Sequence, residues 1–204
     1  MDSMQIIYIL DIFGTFIFAI TGALRGIEKR LDLFGVLVLS FLTAVGGGTI
    51  RDILLNRIPF YFQNEFYIIP IIAGILFTLV FKRIGNYKDA IIYLDAVGLG
   101  VFSVIGFNKA YDEVNIGFLG STVCGLITGI GGGIIRESLV REIPLVFRKE
   151  VYATASLAGL FLLYFLKRVG LQDEISTWLS ILLIFFVRTI SYRFNINLPV
   201  IRTK

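Results

Sequence analysis

The chain has 204 residues, 56% hydrophobic and 17% charged, and its mean hydropathy is +0.84. This composition excludes a soluble domain, since those are about 45–50% apolar, and indicates an integral membrane protein. The net charge of +4 does not indicate nucleic-acid binding, because the basic residues are scattered at the ends of apolar segments and mark topology. The absence of histidine and the single Cys124 exclude His-based catalysis, histidine metal sites and an intrachain disulfide. We expect no enzyme activity, no cofactor and no metal site.

Seven apolar runs are long enough to cross about 30 Å of hydrocarbon as α-helices. They lack the alternation of apolar and polar residues that strands of a membrane barrel require. No basic residue precedes Arg25, so the first run lacks the positive start of a signal peptide and is predicted to stay in the protein. The predicted spans are Gln5–Leu24, Leu33–Leu55, Phe66–Phe81, Ala90–Phe107, Ile116–Val140, Val151–Leu166 and Ile175–Tyr192.

The sequence repeats itself. Residues 44–59 read AVGGGTIRDILLNRIP and residues 129–144 read GIGGGIIRESLVREIP, with eight of the sixteen positions identical. The match extends upstream at an offset of 84, as for Asp11 and Asp95, and downstream at 85, as for Tyr67 and Tyr152. The chain is therefore predicted to be a single transmembrane domain with one repeat over about residues 5–85, a second over about 90–170 and a seventh helix at about 175–192.

Three spans in each repeat would place the second repeat in the membrane upside down relative to the first. The prediction is thus an all-α membrane protein of seven transmembrane helices, built as two inverted three-helix repeats plus a seventh helix. Lys and Arg, counted by predicted face, number 14 on one side and five on the other. The positive-inside rule then predicts an external N-terminus and a cytoplasmic C-terminus.

Triple glycines interrupt the second and fifth predicted spans, at Gly46-Gly47-Gly48 and Gly131-Gly132-Gly133. Glycine in a helix interior costs about 1 kcal/mol relative to alanine, so a duplicated triplet implies a use. We predict that the glycines bend these helices around a hydrated pathway, where irregular backbone is tolerated. Close packing of small residues between helices is the alternative.

Matched charges follow the glycines: Arg51 and Asp52 in the first repeat, Arg136 and Glu137 in the second. A charge near the bilayer centre costs about 2.5–3.5 kcal/mol, so we expect these residues to face a partner or water. We predict that the two arginines shape the electric field in two vestibules. For the two carboxylates, the alternative is snorkelling from helix ends with local ion pairing.

Asp11 and Asp95 lie in the outer thirds of the first and fourth predicted spans, where they can attract a dehydrating cation. The alternative is a carboxylate that caps a neighbouring helix or bonds to Ser or Thr. Hydroxyls that can line a path, or bond back to their own helix, come from Thr15, Thr43, Thr49, Ser103 and Thr128. Arg148 and Lys149, before the sixth span, are candidate contacts for anionic lipid headgroups.

The duplicated GGGxxR[DE] motif, in a chain of two three-span repeats plus one, closely resembles the prokaryotic TRIC family of trimeric intracellular cation channels over essentially its whole length. The resemblance implies a homotrimer in which each protomer has an hourglass-shaped pore for monovalent cations, mainly potassium. It also implies that the second and fifth helices are kinked at their glycines. Animal members carry a Lys-Glu-Val motif associated with phosphoinositide binding, where this chain has Asp95-Ala96-Val97, so we do not expect phosphoinositide control.

A potassium-preferring channel in the cell membrane is the predicted function. A secondary transporter of a small solute such as an amino acid is the alternative, because carriers also use inverted repeats and broken helices. An intramembrane aspartyl protease is not expected, because Gly98-Leu99-Gly100 is followed by Val101, where such enzymes have an aspartate.

Overall fold

The computed structural model describes residues 3–81, 87–147 and 151–196, which form eight α-helices and no strand. This confirms the prediction of an all-helical membrane protein. The helices are α1 (Ser3–Glu28), α2 (Leu33–Leu54), α3 (Phe60–Gln63), α4 (Ile68–Val80), α5 (Tyr87–Asn108), α6 (Gly117–Leu139), α7 (Ala153–Arg168) and α8 (Asp173–Arg193). A π-helix, Lys109–Val114, continues α5.

Each of the seven predicted spans overlaps one of these α-helices, but the helices differ in length. Five are long and apolar enough to cross a membrane: α1, α2, α5 with its π-helical extension, α6 and α8. The other two are shorter, since α4 with its preceding turn covers Glu65–Val80 and α7 has 16 residues. Sixteen residues of α-helix reach about 24 Å, less than the hydrocarbon thickness. Crossing by α4 and α7 stays a prediction.

The centre of the bundle is formed by α1, α2, α5 and α6, which pack against one another, with α4 against α1 and α8 against α5 and α7. Phe18 of α1 meets Phe102 of α5 edge to face, with ring centroids 4.9 Å apart. Large apolar side chains such as Val80, Leu119 and Phe161 are exposed on the outside. An outer surface this apolar is suited to lipid or to other subunits.

The π-helix accounts for the one-residue difference between the repeats. The offset is 84 at Gly22 and Gly106, and 85 at Gly35 and Gly120. A π-helical turn accommodates one extra residue within a helix, and Lys109–Val114 lies in this interval. The inserted residue therefore lengthens the end of α5 and leaves the register of the flanking helices intact.

Contacts between the repeats are reciprocal. A methyl group on Gly47 of α2 would collide with the carbonyl oxygen of Thr128 in α6, and one on Gly132 would collide with that of Thr43. Both the glycines and the threonines are partners at the offset of 85. Exchanging the repeats thus interchanges the two contacts, as a two-fold relation between repeats would require.

Candidate functional site

Four of the six predicted kink glycines lie at the contact between α2 and α6, whereas Gly48 faces Phe60 and Gly133 faces the Tyr152 hydroxyl. All six are buried, and both helices keep α-helical backbone through them. Gly131 packs against the Cα atom of Gly47, and methyl groups on Gly46 and Gly48 would collide with the side chains of Ile135 and Phe60. Close packing, the alternative use of these glycines, is therefore present in this conformation. Bending of the helices around a pathway stays a prediction.

Asp11 is the centre of a buried charge cluster at the end of the bundle where α1 begins. Its Oδ2 atom accepts a hydrogen bond from the Tyr67 hydroxyl at 3.0 Å and lies 2.9 Å from the Lys109 Nζ atom. The Asp11 side chain is 2% exposed and that of Lys109 is 17% exposed. A carboxylate this buried needs such partners, because desolvation strongly disfavours an unpaired charge.

Arg51 and Asp52 complete this group, which we call the Asp11 cluster. The Arg51 Nε atom donates to Asp52 Oδ1 at 2.8 Å, and Asp52 Oδ2 accepts from the backbone N–H of Phe60 at 2.9 Å. The carboxylate thus caps the short helix α3, where its negative charge is favourable. The Phe60 ring lies near two cations, with its centroid 6.0 Å from Arg51 Cζ and 5.7 Å from Lys109 Nζ.

A matched group, the Asp95 cluster, lies at the opposite end of the bundle. The Tyr152 hydroxyl donates to Asp95 Oδ2 at 2.6 Å. The guanidinium of Arg136 lies between two carboxylates, with Nη1 2.9 Å from Asp95 Oδ1 and Nε 3.0 Å from Glu137 Oε1. Nη1 also donates to the Thr21 hydroxyl at 2.9 Å. The Arg136 and Asp95 side chains are 0% exposed, so this end is fixed by fully buried ion pairs.

Each cluster receives a basic side chain from the other repeat. The Nε atom of Arg25, in the first repeat, donates to Glu137 Oε2 at 2.9 Å, whereas Lys109, in the second, binds Asp11. Arg25 and Lys109 are partners at the offset of 84. Each repeat therefore supplies a basic side chain to the acidic cluster of the other repeat, in addition to the reciprocal packing contacts.

A narrow cavity borders the Asp11 cluster, and a wide opening borders Arg25 and Glu137 at the other end of the bundle. The cavity does not admit a water molecule. Its walls include Asp11, Phe18, Gly47, Arg51, Phe102 and Thr128. The opening, at the other end of the bundle, has a volume of about 660 Å³ and is lined partly by Arg25, Glu137, Lys29 and Glu142. Charged side chains thus line both the narrow cavity and the opening.

Most of the predicted hydroxyls bond within their own helices. Four threonines donate to the carbonyl oxygen four residues earlier, at 2.6–2.8 Å: Thr15, Thr43, Thr49 and Thr128. The Ser103 hydroxyl instead donates to Ser156 of α7 at 3.1 Å. These hydroxyl groups are thus held in place without a solute.

The predicted charged residues that the structure describes all have partners. Asp52 and Glu137 are buried, at 4% and 1% exposure, so they do not snorkel to an exposed helix end, although local ion pairing is present. Asp11 and Asp95 bond to tyrosine hydroxyls and cations rather than to Ser or Thr. The candidate lipid contacts Arg148 and Lys149 lie outside the described residues.

Sequence reasoning missed several members of the clusters. Tyr67 and Tyr152 were visible as a matched pair in the repeat, and Lys109 and Arg25 as a basic pair at the offset of 84. Arg188 of α8 is fully buried, with its Cζ atom 5.0 Å from the Tyr152 ring centroid. Its place within a long apolar helix was the signal that marked it as functional or structural.

The chain matches a known family along most of its length. The family model described as "Glycine transporter" matches twice, at residues 8–83 and 92–168, in agreement with the internal duplication. The UPF0126 inner membrane protein YadS of Escherichia coli (strain K12) is 40% identical over 201 residues, or 96% of both chains. A UPF0126 membrane protein of Deinococcus radiodurans is 38% identical over 197 residues, or 95% of this chain and 91% of the relative.

Solved structures match over a similar share of the chain. The TRIC trimeric intracellular cation channel orthologue from Rhodobacter sphaeroides superimposes with a TM-score of 0.89 at 33% identity, covering 94% of this chain and 100% of that one. A prokaryotic TRIC channel crystallised in 0.5 M KCl gives a TM-score of 0.86 at 36% identity, over 95% and 99%. The chain therefore belongs to the prokaryotic TRIC family.

Proposed function

We propose that this protein is a potassium-preferring, monovalent cation channel of the cell membrane, with one pore in each protomer of a homotrimer. The observation that carries the proposal is the agreement of nearly the whole chain with TRIC cation channel structures, at TM-scores of 0.84–0.89 and 33–36% identity. The buried charge clusters at both ends of a glycine-lined contact support it. Intramembrane charges of this kind typically mark ion pathways.

The proposed pathway runs through the protomer between the two clusters. It passes from Asp11 along Gly47 and the Phe18–Phe102 contact to the opening beside Arg25. Reciprocal contacts between the repeats support an inverted arrangement of six spans about an axis in the membrane plane, with α8 as the seventh. The N-terminus lies outside and the C-terminus in the cytoplasm. The narrow cavity has no room for a water molecule in this conformation, so we expect conduction to need a conformation in which α2 and α6 lie further apart at their glycines.

Planar bilayer recording tests the channel directly. Under a KCl gradient, the purified protein should give unitary currents that reverse near the potassium equilibrium potential. Saturable uptake of glycine or another small solute without unitary steps would favour a carrier instead, which is the function that the family description names. Reversal near the chloride potential would contradict cation preference. The mass of the detergent-solubilised particle tests the homotrimer.

We expect Arg51→Gln and Arg136→Gln to rectify the current in opposite directions. Each substitution removes one positive charge from one end of the pathway, so cations should enter more readily from that end. Single-channel recordings at symmetric KCl measure the effect on folded, inserted protein. Arg57→Gln is the control, because the Arg57 side chain is 37% exposed in an ion pair with Glu113. Unchanged conductance and selectivity in both variants would remove the proposed field-shaping role.

A further inference from the structure

Lys109 is held by groups that could also bind a free cation. Its Nζ atom lies 2.9 Å from Asp11 Oδ2 and 5.7 Å from the centroid of the Phe60 ring. The Tyr67 hydroxyl, 3.0 Å from the same carboxylate oxygen, adds a further oxygen to this position. A carboxylate, a hydroxyl and an aromatic face are groups that attract a small cation. The ammonium thus occupies a place that is chemically a cation site.

The cation that pairs with Asp95, the repeat partner of Asp11, is held differently. The Arg136 side chain is 0% exposed, contacts Asp95 and Glu137 and donates to Thr21, so it cannot leave without breaking buried ion pairs. The Lys109 side chain is 17% exposed and carries its charge as a compact ammonium on a flexible stem. It is also the first residue of the π-helix, the feature that distinguishes the second repeat from the first and a type of segment common at functional sites.

We propose that Lys109 is a tethered cation. Its ammonium occupies a cation site made by the Asp11 carboxylate, the Tyr67 hydroxyl and the Phe60 ring, and a permeating cation takes that site only when the Lys109 side chain moves away. This inference rests on the proposed channel function and adds to it a residue that sets cation occupancy at one mouth of the pathway.

The charge balance of the Asp11 cluster gives the physical reason. Asp11 and Asp52 carry two negative charges, and Arg51 and Lys109 carry two positive charges, so the cluster is neutral with Lys109 in place. Asp11 and Phe60 also line the narrow cavity. Withdrawal of Lys109 leaves a net negative charge at the cavity wall, which attracts a cation from solution. Competition between the ammonium and K⁺ follows from this exchange.

Lys109→Gln should raise conductance at low K⁺. We expect the K⁺ concentration for half-maximal conductance to fall about threefold or more, because an unbalanced charge in a low-dielectric wall concentrates counter-ions by at least that factor. Lys109→Arg, which keeps the charge, should stay close to the unmodified protein. The double variant Asp11→Asn with Lys109→Gln should lose the gain. The measurement is unitary conductance against KCl concentration in planar bilayers.

Lys167→Gln is the matched control, since Lys167 lies at the same end of the bundle but pairs with Asp112 and Asp173. An unchanged concentration curve for Lys109→Gln, or a gain that persists in the double variant, would overturn the proposal. If the unmodified protein gives no unitary current at all, the channel function itself fails, and the site is then tested by binding.

Rubidium binding in crystals tests the cation site independently of conduction. Crystals of Lys109→Gln grown in RbCl should show an anomalous Rb⁺ peak between the Asp11 carboxylate and the Phe60 ring. Crystals of the unmodified protein should show Lys109 on Asp11 at low RbCl, and Rb⁺ there with Lys109 displaced in molar RbCl. A Rb⁺ ion on Asp11 beside an unmoved Lys109, or no Rb⁺ peak in Lys109→Gln, would overturn the proposal. If Lys109→Gln does not fold, crystals of the unmodified protein decide instead. Lys109 that stays on Asp11 at every RbCl concentration would then count against exchange.

Discussion

Arg136→Gln should lower the free energy of unfolding by about 3–5 kcal/mol, the usual cost of removing one partner from a buried ion pair. The Arg136 guanidinium contacts both Asp95 and Glu137, and none of the three side chains is more than 2% exposed. Glutamine removes this guanidinium charge from both carboxylates, while the Tyr152 hydroxyl still donates to Asp95 Oδ2. A stability loss of this size would be visible as a large fall in melting temperature in detergent.

The repeat supplies a matched comparison for this prediction. Arg51, the equivalent residue at the offset of 85, pairs with one carboxylate, Asp52, which also accepts the backbone N–H of Phe60. We therefore expect Arg51→Gln to destabilise the protein less than Arg136→Gln. Adding Asp95→Asn to Arg136→Gln should restore part of the loss, because it removes one uncompensated charge. Equal losses for the two arginines, or no rescue, would show that the Asp95 ion pair is not what stabilises this end.

The sequence was enough to match the equivalent residues of the two repeats. Asp11 with Asp95 and Arg51 with Arg136 follow from the offset, and the structure places each in its own cluster. The insertion that changes the offset from 84 to 85 was also visible, although its π-helical form was not, because an extra residue can equally be placed in a loop.

Contacts between repeats could not be predicted in the same way. Lys109 and Asp11 are 98 residues apart, and no local pattern gives the distance between the end of α5 and the start of α1. Arg25 shows the same limit. Its repeat partner Lys109 binds Asp11, so the repeat alone would predict that Arg25 binds Asp95. Arg25 instead binds Glu137. Small differences in side-chain length and helix ends decide such partners, and these depend on tertiary packing.

The glycine triplets are a different case, because packing and a hydrated pathway require the same residue type. Gly47 and Gly132 permit backbone contact between α2 and α6 in this conformation. The same absence of side chains would leave room for ions if the helices separated. Sequence alone therefore identifies these positions without choosing between the two uses, and substitutions are needed to separate them.

Gly47→Ala and Gly132→Ala should each destabilise the protein by about 1–3 kcal/mol or more, the cost of overpacking a close contact. The added methyl groups would collide with the carbonyl oxygens of Thr128 and Thr43, and backbone atoms within a helix cannot turn aside as a side chain can. Because the contacts are reciprocal, the two variants should lose similar amounts of stability. Melting temperature in detergent, with the fraction of intact oligomer, is the measurement.

Gly120→Ala is the control for these substitutions, since it lies in the same helix as Gly132 and the three atoms nearest to its methyl group would all belong to the Ile116 side chain, which can turn aside. It should be neutral or stabilising by up to about 1 kcal/mol, the helix-propensity advantage of alanine. Full stability of Gly47→Ala and Gly132→Ala together with altered conductance would mean that α2 and α6 are already apart in the membrane, so that these glycines line the pathway. Loss of stability in both, with Gly120→Ala unaffected, would mean that the closed contact is the resting state and that opening must break it.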